Sequence, residues 1–219
     1  LPLPTIPYQP VRLPLDEMRA RLHREHAVMQ TRRSVRSFST EPVPREVIEL
    51  ALATAGTAPS GAHRQPWFFV AISDSERKAR LRAAAEEEER RFYSEKASPA
   101  WLAALEPLGT DAVKTHLTDA PWVIVVFRRD WEMVEGERHV NYYVSESVGI
   151  AVGFLISALH RAGLATLTHT PAPMTFLRTL CNRPQNEKPF VVIPVGYPHP
   201  ECSVPDIARK GLAEIAEIG

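Results

Sequence analysis

The sequence predicts an α+β domain, with a central mixed or antiparallel sheet layered by helices. Three observations carry that expectation. Helix-period segments alternate with four short apolar runs at residues 67–72, 121–127, 164–170 and 190–197, the pattern of strands covered by packed helices. Two of the runs, 67–72 (WFFVAI) and 121–127 (PWVIVVF), are apolar without a break, as strands buried on both faces are. The chain has 219 residues and no internal repeat, so one domain with a sizeable core is the default.

In chain order, residues 1–14 (LPLPTIPYQPVRLP) are proline-rich and predict an extended arm. Residues 15–30 predict a helix, with Asp16 and Glu17 where the positive end of its dipole favours them. Together, 1–30 form an N-terminal arm and helix, and 31–219 the main domain. A proline-punctuated turn after Arg36 opens an amphipathic helix at 44–55, followed by a loop, 54–67 (TAGTAPSGAHRQPW). Gly56, Pro59, Gly61 and Pro66 there exclude helix and strand. Such a loop lets backbone N–H groups approach a flat ligand, although a plain tight turn has the same composition.

After the 67–72 strand, residues 73–75 (SDS) cap a helix running to about Tyr93. Its glutamates 86–89 read mostly as a solvated face. A second helical run spans 100–117. Between them, residues 86–114 carry much charge and little obvious core, which suits a mobile lid. Strand 121–127, a polar loop at 130–138 and an apolar helix at 142–162 come next, with Gly149 and Gly153 spaced for close packing. The uninterrupted apolar part of that helix, 148–159, is too short to cross a bilayer, so it is a core or dimer helix. Gly163 ends it, strand 164–170 stops at Pro171, and a short helix at 174–181 precedes strand 190–197. The tail is 205–219.

The formal net charge is zero, so no global field draws nucleic acid or an anionic membrane surface. Cys181 and Cys202 read as reduced thiols rather than a disulfide framework. Zinc spacing, a P-loop and GxGxxG are all absent from the sequence. The last absence excludes a built-in dinucleotide fold but not nicotinamide docking directly on another cofactor.

Residues 31–38 (TRRSVRSF), the loop 58–62 (APSGA) and 189–197 (PFVVIPVGY) together resemble the nitroreductase superfamily of FMN flavoproteins. The likeness extends from about Arg32 to Leu212 and is greatest to the iodotyrosine deiodinase branch. It implies an intertwined homodimer with FMN at the subunit interface. Arg32, Arg33 and Arg36 can offer charge and bidentate donors to a phosphate, and Ser34 a hydroxyl; a basic surface helix end is the plainer alternative. By resemblance Arg209 is a further phosphate ligand, while Pro59, Ser60 and Gly61 lie beside the flavin ring. Thr168, His169 and Thr170 match a threonine-rich stretch at the flavin, from which His169 departs. Thr170 matches the threonine bonded to flavin N5, which favours one-electron over hydride transfer; it is the expected catalytic residue. A threonine satisfying its own backbone at a strand end is the alternative.

Glu89 and Tyr93, four apart on a helix, share a face, and Lys114 returns on the next segment. The trio matches the branch's receptor for an amino-acid zwitterion: Glu89 for the ammonium, Lys114 for the carboxylate, Tyr93 as hydroxyl and wall. Three unrelated surface residues would be the alternative. Ala62 matches a position whose backbone N–H holds the substrate phenolate. The resemblance therefore implies an FMN-dependent reductive dehalogenase taking iodotyrosine to tyrosine and iodide, with no metal. Its external reductant would be NAD(P)H or a partner reductase. The rivals are a general FMN nitro- or quinone reductase and a non-catalytic flavin- or tyrosine-binding sensor. Animal members of the branch carry an N-terminal membrane anchor that this sequence does not supply. The expected location is cytoplasmic if the source is prokaryotic, with a removed anchor left open.

Overall fold

The computed structural model describes residues 4–219. One compact unit ends at Arg32; the other spans Arg33–Gly219. In the first, α1 (Leu15–Gln30) begins after Pro14, has Asp16 and Glu17 in its first turn and buries no residue.

The second unit holds α2 (Arg45–Ala55), β1 (Trp67–Ile72), α3 (Ser75–Arg91), α4 (Pro99–Leu105), α5 (His116–Asp119) and β2 (Trp122–Arg129). It continues with β3 (Trp131–Val134), β4 (Glu137–Val140), α6 (Val144–Arg161), β5 (Ala165–Thr166), α7 (Phe176–Leu180), β6 (Glu187–Gly196) and α8 (Leu212–Ile215). Four strands form an antiparallel sheet in the order β1-β2-β6-β5. A single parallel bridge, Ser34 to Thr166, adds the chain before α2 to its edge.

Alternation along β2 divides the core into two layers. Ile124 and Val126 point to α2 and α6, meeting Ile48, Ala55, Val148, Leu155 and Leu159. Val123, Val125 and Phe127 point the other way, to Leu81 and Ala85 of α3, Leu117 of α5 and Leu177 of α7. Both faces of β2 are covered, which is why its sequence shows no polar alternation. Gly196 closes β6 where a side chain would not fit: a Cβ there would stand 2.4 Å from Cδ of Pro121. Among the described residues no helix is long and apolar enough to cross a membrane.

Four expectations are corrected. The polar stretch 130–138 is mostly a hairpin, β3 against β4, not a loop. Its tip, Glu135 and Gly136, has φ of 52° and 85°, as the mirror-image hairpin turns require. Glu-Gly is a weak signal for such a turn, so composition misleads there. The 100–117 helix is broken: α4 ends in one 3₁₀ turn, Glu106–Leu108, and Gly109 at φ 60° stops it. Pro107, without an N–H, cannot continue an α-helical ladder. Strand 164–170 shrinks to β5 plus a bridge from His169 to Val192. Between them Leu167 faces Pro194, which accepts its N–H at 3.4 Å but has none to return. Finally, Gly149 and Gly153 pack against nothing within the chain, since a Cβ on either would meet no atom within 4 Å. They lie on the outward face of α6, beside the exposed Ile150 and Phe154.

Candidate functional site

A cavity of about 570 Å³ opens between the end of α3, the chain leading into α5, and residues 167–174. Helix α3 starts cleanly because the Asp74 carboxylate accepts from Arg77 N–H at 2.7 Å. Its last turns carry Leu81 and Ala85 into the core, and the same face therefore delivers Glu89 to the cavity. After Arg91 the helix widens into a π turn, Phe92–Lys96, which places Tyr93 on the cavity wall. Phe92 stacks edge-on with Tyr93 and with Trp101 of α4, at 5.4 and 4.8 Å between ring centroids. Aromatic residues thus cover one side of the hollow.

Glu89, Tyr93 and Lys114 all line it. Lys114 Nζ lies 3.2 Å from Glu89 Oε2, with side chains only 8% and 12% exposed. In so dry a place two opposite charges pair to offset their lost hydration. Lys114 Nζ also donates to the Asp111 carbonyl and sits 5.9 Å from the Tyr93 ring centroid. Tyr93 hydroxyl pairs with Thr110 Oγ1 at 3.0 Å. Among glutamates 86–89 the solvated reading fits Glu87, bridged to Arg90 and Arg91 on the surface. Glu86 instead accepts the Lys114 backbone N–H at 2.8 Å and clasps Arg82, so it fixes the segment carrying Lys114.

The opposite wall is 167–171. The bridge to Val192 fixes His169, which is buried, while Thr168 and Thr170 on either side of it are exposed; all three line the cavity. His169 Nε2 lies 3.1 Å from Glu89 Oε1. Burial alone would raise the Glu89 pKa. The His169 hydrogen bond and the Lys114 charge outweigh it, so the carboxyl is held below its ordinary range. His116, on α5, meets the His169 ring edge-on at 5.3 Å and 85°. Burial, helped by the cations around it, pushes His116 down to about 3, so at neutral pH it is an uncharged wall. Sequence reasoning missed Thr110 and His116, because nothing local marks them; the packing of α5 on α3 brings His116 here, and the chain leading into α5 brings Thr110.

Arg36 reaches the rim of this cavity and also lines a second hollow of about 400 Å³ with Ser34, Pro107, Gly109, Ser203, Val204 and Pro205. Arg33 donates to the Ile207 carbonyl at 3.2 Å, tying the tail down near Ser34. Arg32 belongs to the N-terminal unit, and Arg209 is exposed on the tail.

Pro59, Ser60, Gly61 and Ala62 do not line the cavity. Their loop lies at the start of α6, where Gly61 N–H donates to Ser147 Oγ at 3.3 Å. A Cβ on Gly61 would stand 2.8 Å from the Tyr142 carbonyl oxygen, so only glycine fits. Ala62, His63 and Gln65 hold φ of 48°, 55° and 46°, conformations that cost non-glycine residues energy and gather at functional loops. The loop at 59–62 and the residues that line the cavity therefore occupy two separate places on one chain.

The nitroreductase family model matches residues 29–197. A protein of Haliscomenobacter hydrossis named iodotyrosine deiodinase is 49% identical over 211 residues, which are 96% of this chain and 95% of that one. The iodotyrosine deiodinase of Danio rerio is 45% identical over 217 residues, 97% of this chain and 73% of its own. A crystal structure of oxidised iodotyrosine deiodinase bound to FMN and 3-iodo-L-tyrosine aligns with a TM-score of 0.78 at 29% identity, covering 89% of this chain and 98% of that one. A nitroreductase of Bacteroides fragilis with bound FMN shares the fold, with a TM-score of 0.64 at 17% identity.

Proposed function

This chain belongs to the nitroreductase family, and we propose that it is an FMN-dependent reductive dehalogenase of halotyrosines, converting iodotyrosine to tyrosine and iodide. The observation that carries the reading is the buried Glu89–Lys114 pair, which lines one cavity with Tyr93 and with Thr168, His169 and Thr170; we read the trio as an amino-acid receptor. A general nitro- or quinone reductase has no use for two buried opposite charges above its cofactor.

FMN suits the residues present. Thr168 and Thr170 are exposed and line the cavity, and Arg36 lines both it and the hollow at Ser34. Ser34, Arg33 and Arg36, with Arg209, would hold the phosphate, and Thr170 would donate to ring N5. When bound, FMN supplies electrons one at a time, recharged by an external reductant, NAD(P)H or a partner reductase. The halotyrosine takes up two electrons and one proton: a C–H bond forms at the ring carbon, the carbon–halogen bond breaks and halide leaves. The substrate carboxylate draws Lys114 off Glu89, and its ammonium takes the vacated oxygen. Residues 86–114 act as the lid that this exchange secures, and excluding water there strengthens each ionic contact. Ala62 N–H would hold the phenolate oxygen as its charge changes.

Pro59, Ser60, Gly61 and Ala62 reach such a ligand in a homodimer, where the loop of one copy faces the cavity of its partner. The outward face of α6, with Gly149, Ile150, Gly153 and Phe154, supports that pairing. Sedimentation of the flavin-loaded protein at micromolar concentration is expected to show a dimer; an active, flavin-loaded monomer would refute it.

The direct test of activity is one anaerobic turnover of dithionite-reduced protein with iodotyrosine, expected to release one tyrosine and one iodide per flavin. Thr170→Ala should lose that turnover by up to about tenfold, the worth of one neutral hydrogen bond, while nitroaromatic reduction rises. No iodide from wild type would leave the sensor reading standing. Undiminished turnover in the variant would remove Thr170 from the chemistry.

A further inference from the structure

His169 has no assigned work in the reading above, yet its placement is the most constrained in the cavity. Its backbone donates to Val192 O at 2.8 Å and accepts from Val192 N at 2.9 Å. The side chain is buried, with Nε2 on Glu89 Oε1 and the ring edge-on to His116. An ionised carboxylate only accepts hydrogen bonds, so Nε2 is the protonated nitrogen. Nδ1 is then a buried nitrogen with no partner among the described residues, an arrangement that costs free energy and calls for a compensating role.

Resting on the zwitterion-receptor reading, the geometry points to His169 as the positioning residue of the ammonium subsite. It holds the Glu89 carboxylate in place while Lys114 turns to the ligand's carboxylate, so that the pocket takes a halophenol bearing an α-ammonium over a plain halophenol. Of the two protein donors on Glu89, Lys114 is the one a zwitterion recruits. Its stem is flexible, whereas His169 is pinned through both backbone groups.

The other charged or titratable groups around Glu89 are already engaged or distant in role. Glu86, on the same helix, is held by Arg82 and the Lys114 backbone. Tyr93 pairs with Thr110, and the Asp111 carboxylate accepts from Val113 N–H. His116 is neutral, and Arg36 lines the same cavity. Burial is the largest influence on Glu89 and favours its protonated form; His169 is first among the influences opposing it. Deleting the imidazole must therefore move Glu89 protonation upward in pH, and ammonium binding is lost as pH falls through that higher value.

The test titrates FMN-loaded wild type, His169→Leu and His169→Gln with iodotyrosine and with 2-iodophenol, following flavin fluorescence from about pH 8 to about pH 5, a span reaching toward the ordinary carboxylate range. Wild type should prefer iodotyrosine and keep that affinity across the span. His169→Leu should bind iodotyrosine about tenfold more weakly near neutrality, one charge-assisted bond's worth. It should weaken further with acid, and 2-iodophenol should be unaffected. His169→Gln, whose amide N–H can reach Glu89, should restore both affinity and pH profile. A leucine variant with the wild-type iodotyrosine profile overturns the assignment while leaving the receptor intact. So does equal loss of both ligands without rescue by glutamine, which marks a packing role. Wild type showing no preference between the ligands is a different failure: it removes the receptor reading and this assignment with it.

Discussion

Replacing Arg33 and Arg36 together by alanine is expected to strip FMN from the protein. Arg36 links the main cavity to the hollow at Ser34, and Arg33 stands one residue before that serine with its guanidinium on the tail carbonyl of Ile207. Each charge-assisted bond to a phosphate contributes about 1.5–3 kcal/mol, so losing two weakens FMN by a factor of roughly 10²–10⁴. Wild type should emerge yellow from gel filtration and the double variant colourless. Titrating FMN back into both would give the ratio. Because Arg33 also fastens the tail, melting curves of the two flavin-free proteins separate lost cofactor contacts from lost folding. A variant that keeps its flavin as wild type does would move the phosphate away from this segment. A wild type that binds no added FMN would sink the enzyme reading altogether.

Glu89→Gln and Lys114→Ala should each weaken iodotyrosine by a factor of roughly 30–150 and leave 2-iodophenol almost untouched, since one charge-assisted bond at a dry site costs about 2–3 kcal/mol. The pair's own geometry explains why the effect is large. With both side chains nearly closed off from water, neither variant can replace the lost partner by hydration, and the remaining charge is stranded. The zwitterion gains because it exchanges one internal ion pair for two with the ligand; a halophenol offers nothing to either charge. Flavin fluorescence titrations of both ligands against both variants decide the matter. If the variants lose the two ligands alike, the trio is structural, and a general reductase on the same fold replaces the dehalogenase.

The sequence by itself determined the layers and several of the residues that line the cavity. Unbroken apolar runs placed β1, β2 and β6, because a strand covered on both faces must be apolar at every position. The i,i+4 pair Glu89–Tyr93 was legible because a helix repeats its face locally. Gly61 was legible as a bend, because glycine and proline on either side of it exclude helix and strand.

Contacts between distant segments were not legible. That Glu89 meets Lys114 and His169 depends on α3, the approach to α5 and the edge of β6 converging. Which side of the 167–171 stretch faces in was decided by the bridge at Val192, and the gap in its pairing by Pro194 lying opposite Leu167. The hairpin at 130–138 hid behind a polar composition, and the helix at 100–117 broke at Pro107 and Gly109 despite its period. Local propensity depends on neighbours a few residues away. A buried charge must find its counterion wherever the fold supplies one, so that partner is set by tertiary packing alone.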